Sequence, residues 1–194
     1  MDRKKGSYFD ELCSAMDYMA EKPETIFIGQ AVAYPGTAMF NTLKNVPNNK
    51  RLELPVAEEM QMGMSAGLSL SGLIPISIFP RWNFLLCAIS GLVNHLDKYS
   101  ILSDYQPHVI IRTGIGSVYP LDPQYQHKGD FTEAIQSMCK TVKVKRLENP
   151  EDIVDSYIEA YNNPGVYLMC EVSDFLNEEF RKDYTRFRET YNGA

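Results

Sequence analysis

LPVAEEMQMGMSAGLSLSGLIPISIFPRWNF, residues 54–84, is the stretch around which the chain is arranged. Pro55 presets the backbone dihedral that opens a helix, and Glu58 and Glu59 fall in the first turn, where negative charge complements the helix dipole. The helix carries Gly63 and Gly67 four apart, with Ser71 and Gly72 completing a row of small residues. Each glycine costs about 1 kcal/mol against alanine in a helix interior, so the pair predicts a buried helix closely approached by another backbone. Gly72 ends that helix, and Pro75-Ile-Ser-Ile-Phe79 is a β-branched run of strand length. Asn83 is read as the cap of a second helix, with Leu85, Ile89, Leu92 and Leu96 at helical spacing.

Outward from this stretch the chain alternates helix and strand. Tyr8 to Met19 is an amphipathic helix, Thr25 to Gln30 a buried strand, and Ala31 to Asn49 a long connection rich in Gly, Pro and Asn. Lys50 to Leu54 is a short strand, Asn83 to Tyr99 a helix, and His108 to Thr113 a central strand. Gly114 to Gly129 is a loop long enough to suggest a functional role. Phe131 to Lys140 is helical, Val142 to Leu147 a strand, Pro150 to Asn162 a helix capped by Asn149, and Val166 to Val172 the last strand. Alternation of this kind predicts an α/β fold, a doubly wound and mostly parallel sheet with helices on both faces. Residues 1–177 are assigned to that domain, and 178–194 to a charged, aromatic tail read as a frayed helix or a docking arm.

The 194 residues suit one domain with a sizeable core. A net charge of −6 speaks against a nucleic-acid role, since phosphate contacts need clustered Lys and Arg. No run reaches transmembrane length, and polar residues follow the basic start where a signal peptide would place its apolar core. Four scattered cysteines without a CxxC pair suit reduced thiols in the cytoplasm.

Pro55-Val-Ala-Glu58, Gly63, Gly67-Leu-Ser-Leu-Ser-Gly72, Pro75 and Phe79-Pro-Arg-Trp-Asn-Phe84 resemble, without a gap, the pyrimidine-binding domain of thiamine diphosphate enzymes. The likeness is to the beta subunit of 2-oxo acid dehydrogenases and the middle domain of transketolase, and it runs from Ile28-Gly29 to about Val172. It implies the matching fold and an enzyme making or breaking a C–C bond next to a ketose or 2-oxo acid carbonyl. The chemistries implied are ketol transfer or non-oxidative decarboxylation and acyloin formation.

Each candidate residue has two readings. By position alone Glu58 is a solvated dipole partner; the resemblance makes it the acid that hydrogen-bonds the cofactor's aminopyrimidine ring nitrogen. Glu59 serves the dipole. Phe84 is core by composition, and by resemblance the aromatic that stacks on the pyrimidine, with Trp82 on the same turn as a further cofactor contact. His127, in Tyr125-Gln-His-Lys-Gly-Asp-Phe131, is a surface loop residue or, by resemblance, a substrate-facing proton donor or oxyanion contact. Arg81 replaces a small polar residue of the family, and is read as an exposed arginine or as a contact to a substrate carboxylate or phosphate. His95 and His108 carry no functional assignment, and Thr113-Gly-Ile-Gly116 is read as a turn.

Two departures shape the expected assembly. Gln30 and Ala31 stand where the beta subunits carry acids, and the second half of those subunits is not in this sequence. The Gly-Asp-Gly signature of the diphosphate-binding domain is also missing, Gly129-Asp130-Phe131 not fitting it. No magnesium-binding oxygen cluster is recognisable. The resemblance therefore implies a partner subunit that bears Gly-Asp-Gly and holds Mg2+ and the diphosphate, in a heterotetramer with self-association. A non-catalytic regulatory or scaffold homologue of the same fold is the alternative.

Overall fold

A computed structural model describes residues 6–116 and 122–176. The 178–194 tail and the middle of the 114–129 loop lie outside the described residues. The apolar runs become six strands: β1 (Thr25–Gly29), β2 (Arg51–Glu53), β3 (Ile74–Phe79), β4 (Val109–Ile115), β5 (Lys143–Leu147) and β6 (Val166–Val172). All pair in parallel, in the order β2-β1-β3-β4-β6-β5. The register sets Phe27 beside Ile76, Ile76 beside Ile110 and Ile110 beside Tyr167, so apolar residues align across the central strands.

The helices are α1 (Tyr8–Ala20), α2 (Ala38–Asn41), α3 (Glu58–Leu70), α4 (Trp82–Cys87), α5 (Tyr99–Leu102), α6 (Thr132–Met138) and α7 (Pro150–Asn162). β3, β4 and β6 are buried along their whole length, as continuous hydrophobic runs in parallel sheets must be. Each of their fully enclosed Ile, Leu or Met side chains contributes roughly 1.5–3 kcal/mol. α1 begins in a capping box, Ser7 Oγ accepting from Asp10 N–H and the Asp10 carboxylate from Ser7 N–H. Its Leu12, Met16 and Met19 are fully buried.

Three features differ from the sequence expectation. α3 buries the stripe Glu58, Gln61, Met62, Ser65 and Ser69, while Gly63 and Gly67 face outward; a Cβ on either would meet nothing within 4 Å. The close approach inferred from the two glycines is therefore not made within this chain. The helix expected from Asn83 to Tyr99 is broken: α4 starts one residue earlier, with Arg81 at its cap, and gives way to a π-helical turn at Gly91–Leu96 before α5. Finally, β4 runs on to Ile115, so the glycine pair 114 and 116 straddles a strand end, and Gly116 leaves it at φ 65.

Two polar clusters are sealed into the structure. Arg112 on β4 donates from Nε and Nη2 to the two Glu171 oxygens at 2.7 and 2.9 Å, and from Nη2 to Thr42 Oγ1 at 3.1 Å. Tyr157 donates to Glu171 Oε1 at 2.6 Å. Burial opposes the Arg112 charge, yet the facing Glu171 carboxylate raises its pKa above the ordinary arginine value. In the second cluster, Asp97 Oδ1 accepts the main-chain N–H groups of Lys140, Thr141 and Val142 at 2.8, 2.7 and 3.1 Å, tying the π-helical turn to the start of β5. Burial pushes the Asp97 carboxyl up, but the Lys98 ammonium and those amides together hold it well below the usual carboxylate range.

Candidate functional site

Strand order dictates where a site can form. From β1 the chain goes first to β2 on one side and then to β3 on the other, so the β1/β3 boundary is the switch point whose carboxyl-end crevice accommodates ligands in parallel α/β sheets. The residues leaving those strand ends are Gln30 after Gly29, and Pro80 and Arg81 after Phe79. Gly29 is required here: its φ is 144 and a Cβ would meet Ile78 O at 2.3 Å.

A cavity of about 790 Å³ opens at this point, lined among others by Gln30, Thr37, Asn41, Arg81, Phe84 and Ser173. Its wall is built from three sequence segments. Residues 30–41 form one side, and their shape is fixed by Glu53 at the end of β2. Glu53 Oε1 accepts Ala31 N–H at 2.6 Å, while Oε2 accepts Val32 and Ala33 N–H at 2.8 and 2.7 Å. This holds Ala31 at φ 52, a left-handed conformation a non-glycine residue adopts only under constraint. The turn from β3 into α4 forms the second side, and Ser173 after β6 the third.

Glu58 lies at the first position of α3 and is 8 % exposed. Its Oε1 accepts a hydrogen bond from the cavity-lining Gln30 amide at 3.0 Å, the one hydrogen bond of its side chain among the described residues. Glu59, next to it, is exposed. Gln61 completes the support beneath, donating to Ser77 Oγ and Ile78 O at 3.0 Å each.

Phe84 is half-buried, lines the cavity and stacks on the His127 imidazole with centroids 5.4 Å apart and planes at 24°. The described end of the long loop thus packs on α4 through His127, whose Nδ1 is buried without a partner among the described residues. Trp82 is placed differently. Its ring is fully enclosed, meets Phe131 edge to face at 6.1 Å, and lines no part of the cavity. Arg81 lines the cavity, its Nη1 donating to Gly116 O at 3.2 Å and His127 O at 3.5 Å. His95 is exposed, and His108 bonds Ala160 O at 2.7 Å, well away from these groups in the fold.

The structure therefore gathers Glu58, Phe84, His127 and Arg81 around one crevice, through Gln30 and the cavity wall, and leaves Trp82 beneath it. Sequence reasoning treated Gln30 only as a departure and did not single out Glu53. Glu53 carries no local signal, because its three donors lie some twenty residues upstream and meet it only through β1/β2 pairing. Among the described residues no group of three or more His, Cys, Asp and Glu is placed to hold a metal ion, and no helix is long and apolar enough to cross a membrane.

No family model matches the chain. It is 29 % identical over 179 residues to the mitochondrial pyruvate dehydrogenase E1 component subunit beta of Homo sapiens, covering 88 % of this chain and 49 % of that protein. The Mus musculus protein of the same name is 30 % identical over 165 residues, covering 81 % and 45 %. The pyruvate dehydrogenase E1 component subunit beta of Gracilaria tenuistipitata var. liui is 26 % identical over 183 residues, 90 % of this chain and 56 % of that one. The chain thus spans about half the length of the curated relatives it matches. In fold it is similar to a split gene transketolase solved as an inactive beta4 tetramer, with a TM-score of 0.66 and 15 % identity over 87 % of this chain and 52 % of that one. It is also similar to a protein described as a thiamin diphosphate-dependent enzyme from Mycobacterium smegmatis, with a TM-score of 0.58 and 15 % identity over 89 % and 31 %.

Proposed function

We propose, for a chain whose sequence and fold match the pyrimidine-binding domain of thiamine diphosphate enzymes, that it supplies one half of an active site of that kind. What supports this most is a single observation. A carboxylate enclosed at a helix entrance beside the β1/β3 crevice, Glu58, is hydrogen-bonded only by a neutral amide among the described residues. Burying such a group without an ionic partner among the described residues is costly, and its place beside a cavity supports reading it as a functional acid.

The residues present suit the group. Glu58 offers a carboxylate oxygen to the ring nitrogen of the cofactor's aminopyrimidine, and Phe84 offers an aromatic face to that ring. Gln30 holds the Glu58 carboxylate in place from the cavity side. His127, braced against Phe84, serves as proton donor or oxyanion contact to the substrate. Trp82 supports the turn from below and does not share in the contact. When bound, thiamine diphosphate supplies a carbon nucleophile for attack on a carbonyl. The substrate is a ketose or a 2-oxo acid, and the reaction ketol transfer or non-oxidative decarboxylation and acyloin formation. The diphosphate and its Mg2+ are held by a partner subunit bearing Gly-Asp-Gly, in a cytoplasmic heterotetramer with contacts between copies of this chain.

Equilibrium dialysis of thiamine diphosphate against this chain, alone and with the candidate partner subunit, tests the reading. Saturable binding by the complex is expected; binding by neither preparation ends it and leaves a scaffold role. In the binding-competent preparation, Glu58→Gln is expected to slow exchange of the cofactor's C2 proton by about 10²-fold or more, with assembly intact. Unchanged exchange removes Glu58 from the chemistry.

A further inference from the structure

Position 30 is clamped from both sides. Gly29 O accepts Leu54 N–H at 2.8 Å, and Ala31 N–H donates to Glu53 Oε1 at 2.6 Å. Both chain neighbours of Gln30 are thus fastened to the end of β2, so its side chain starts from a fixed point. From there Nε2 donates to Glu58 Oε1 at 3.0 Å. Gln30 belongs to the cavity wall and Glu58 does not, so among the described residues this amide is the group that joins the acid to the cavity. Glu58 Oε1 is engaged by it, while Oε2 has no hydrogen bond among the described residues.

The residue type matters as much as the place. An amide nitrogen only donates and stays neutral, whereas an acid at the same distance would have to share a proton with Glu58. The elements packed against α3 supply no second proton carrier in contact with that carboxylate. β1 and β3 carry no titratable side chain, and the Cys87 of α4 is exposed, as is His95 of the π-helical turn. Arg112 of β4 is paired with Glu171, and Arg81 at the α4 cap is bonded to Gly116 O and His127 O. Glu53 has both oxygens on main-chain amides, and Glu59 is exposed.

We infer that Gln30 is a positioning residue: it fixes the Glu58 carboxylate through Oε1, reserves Oε2 for the ligand and, unable to take up a proton, leaves proton transfer at this contact to Glu58 alone. This deepens the function proposed above and rests on it for the ligand.

The contact is read first without cofactor, by NMR on the isotope-labelled full chain. One of the two Gln30 side-chain N–H protons is expected well downfield of free glutamine, a measurement on the parent that needs no variant, and Glu58→Met should abolish the shift. The Glu58 carboxyl carbon is expected to titrate in one step in the parent and in two coupled steps in Gln30→Glu. Exchange of the C2 proton of thiamine diphosphate is then followed in the complex with the candidate partner. Gln30→Met, close in length but without the donor, is expected to slow it about tenfold, the scale of one hydrogen bond to a charged group, with a smaller change in the dissociation constant. In the Glu58→Gln background the same substitution should add nothing, because Gln30 acts through that carboxylate. An unshifted amide, a single titration step in Gln30→Glu, or equal slowing by Gln30→Met in both backgrounds overturns the assignment. If thiamine diphosphate binds and Gln30→Met leaves exchange unchanged, the proposed function stands and the Gln30 assignment alone falls. If the amide is shifted and no preparation binds thiamine diphosphate, the function falls and the positioning role falls with it.

Discussion

Glu58 and Glu171 are both buried carboxylates, 8 % and 3 % exposed, and their surroundings could hardly differ more. Glu171 receives two charge-assisted bonds from Arg112 and a third from Tyr157, in a region closed by α1, α7 and the β4/β6 pair. Among the described residues Glu58 receives one bond, from the neutral amide of the cavity-lining Gln30. A buried charge matched by a guanidinium belongs to the architecture. One whose acceptor capacity is not filled among the described residues, beside a strand-end crevice, is what the proposed ligand role of Glu58 rests on.

The contrast can be broken by mutation. Arg112→Met strands Glu171 in a dry interior, and a loss of about 3–5 kcal/mol of unfolding free energy is expected in urea titrations. A loss under about 1 kcal/mol would show that the two acids are not opposites. Asp97→Ala leaves three main-chain N–H groups without their acceptor and is expected to cost about 2–4 kcal/mol by the same measurement. Because the folded Asp97 carboxyl is held below its unfolded value, its contribution is complete above the ordinary aspartate range and is lost as pH falls through the folded value. The variant should therefore show a shallower loss of stability on acidification than the parent. Glu58→Gln, isosteric and still able to accept from Gln30, is expected to change stability by less than about 1 kcal/mol while affecting the chemistry steeply. A large stability loss there would return Glu58 to the architectural class.

The smallest expected effect is at His108, whose pKa burial lowers. The unfolded chain then binds the proton more readily than the folded one, so stability falls as pH drops below the ordinary histidine range and recovers above it. His108→Gln, keeping a donor for Ala160 O, should flatten that part of the profile.

What the sequence disclosed follows from where information is local. β6 was legible from Val166 to Val172, and α1 to within a residue, because a mostly apolar run after Pro164-Gly165 and an amphipathic stripe are local patterns. The broken helix was not. Leu85, Ile89, Leu92 and Leu96 keep helical spacing through the π-helical turn, and the break coincides with the fit of Met62 against Gly91, where a Cβ would meet Met62 Cγ at 2.7 Å. The glycine row of α3 misled for a related reason: composition reveals that room has been left, not whether this chain fills it. At the site, Glu58 and Phe84 were proposed from a family likeness spanning the whole motif, and composition and spacing alone did not single them out. Gln30, Glu53 and the cavity they frame are products of strand pairing that no spacing rule foretells.

The grip of Glu53 on residues 31–33 has one further consequence. In the function proposed above a second polypeptide completes the crevice, and a wall that had to find its shape at the moment of encounter would lose affinity to loop ordering. Here one side chain, fastened to three successive amides, delivers that wall as a finished surface before any encounter takes place. On that proposal, substitutions at position 53 should surface first as weaker and slower assembly with the partner, in a chain whose core is otherwise whole.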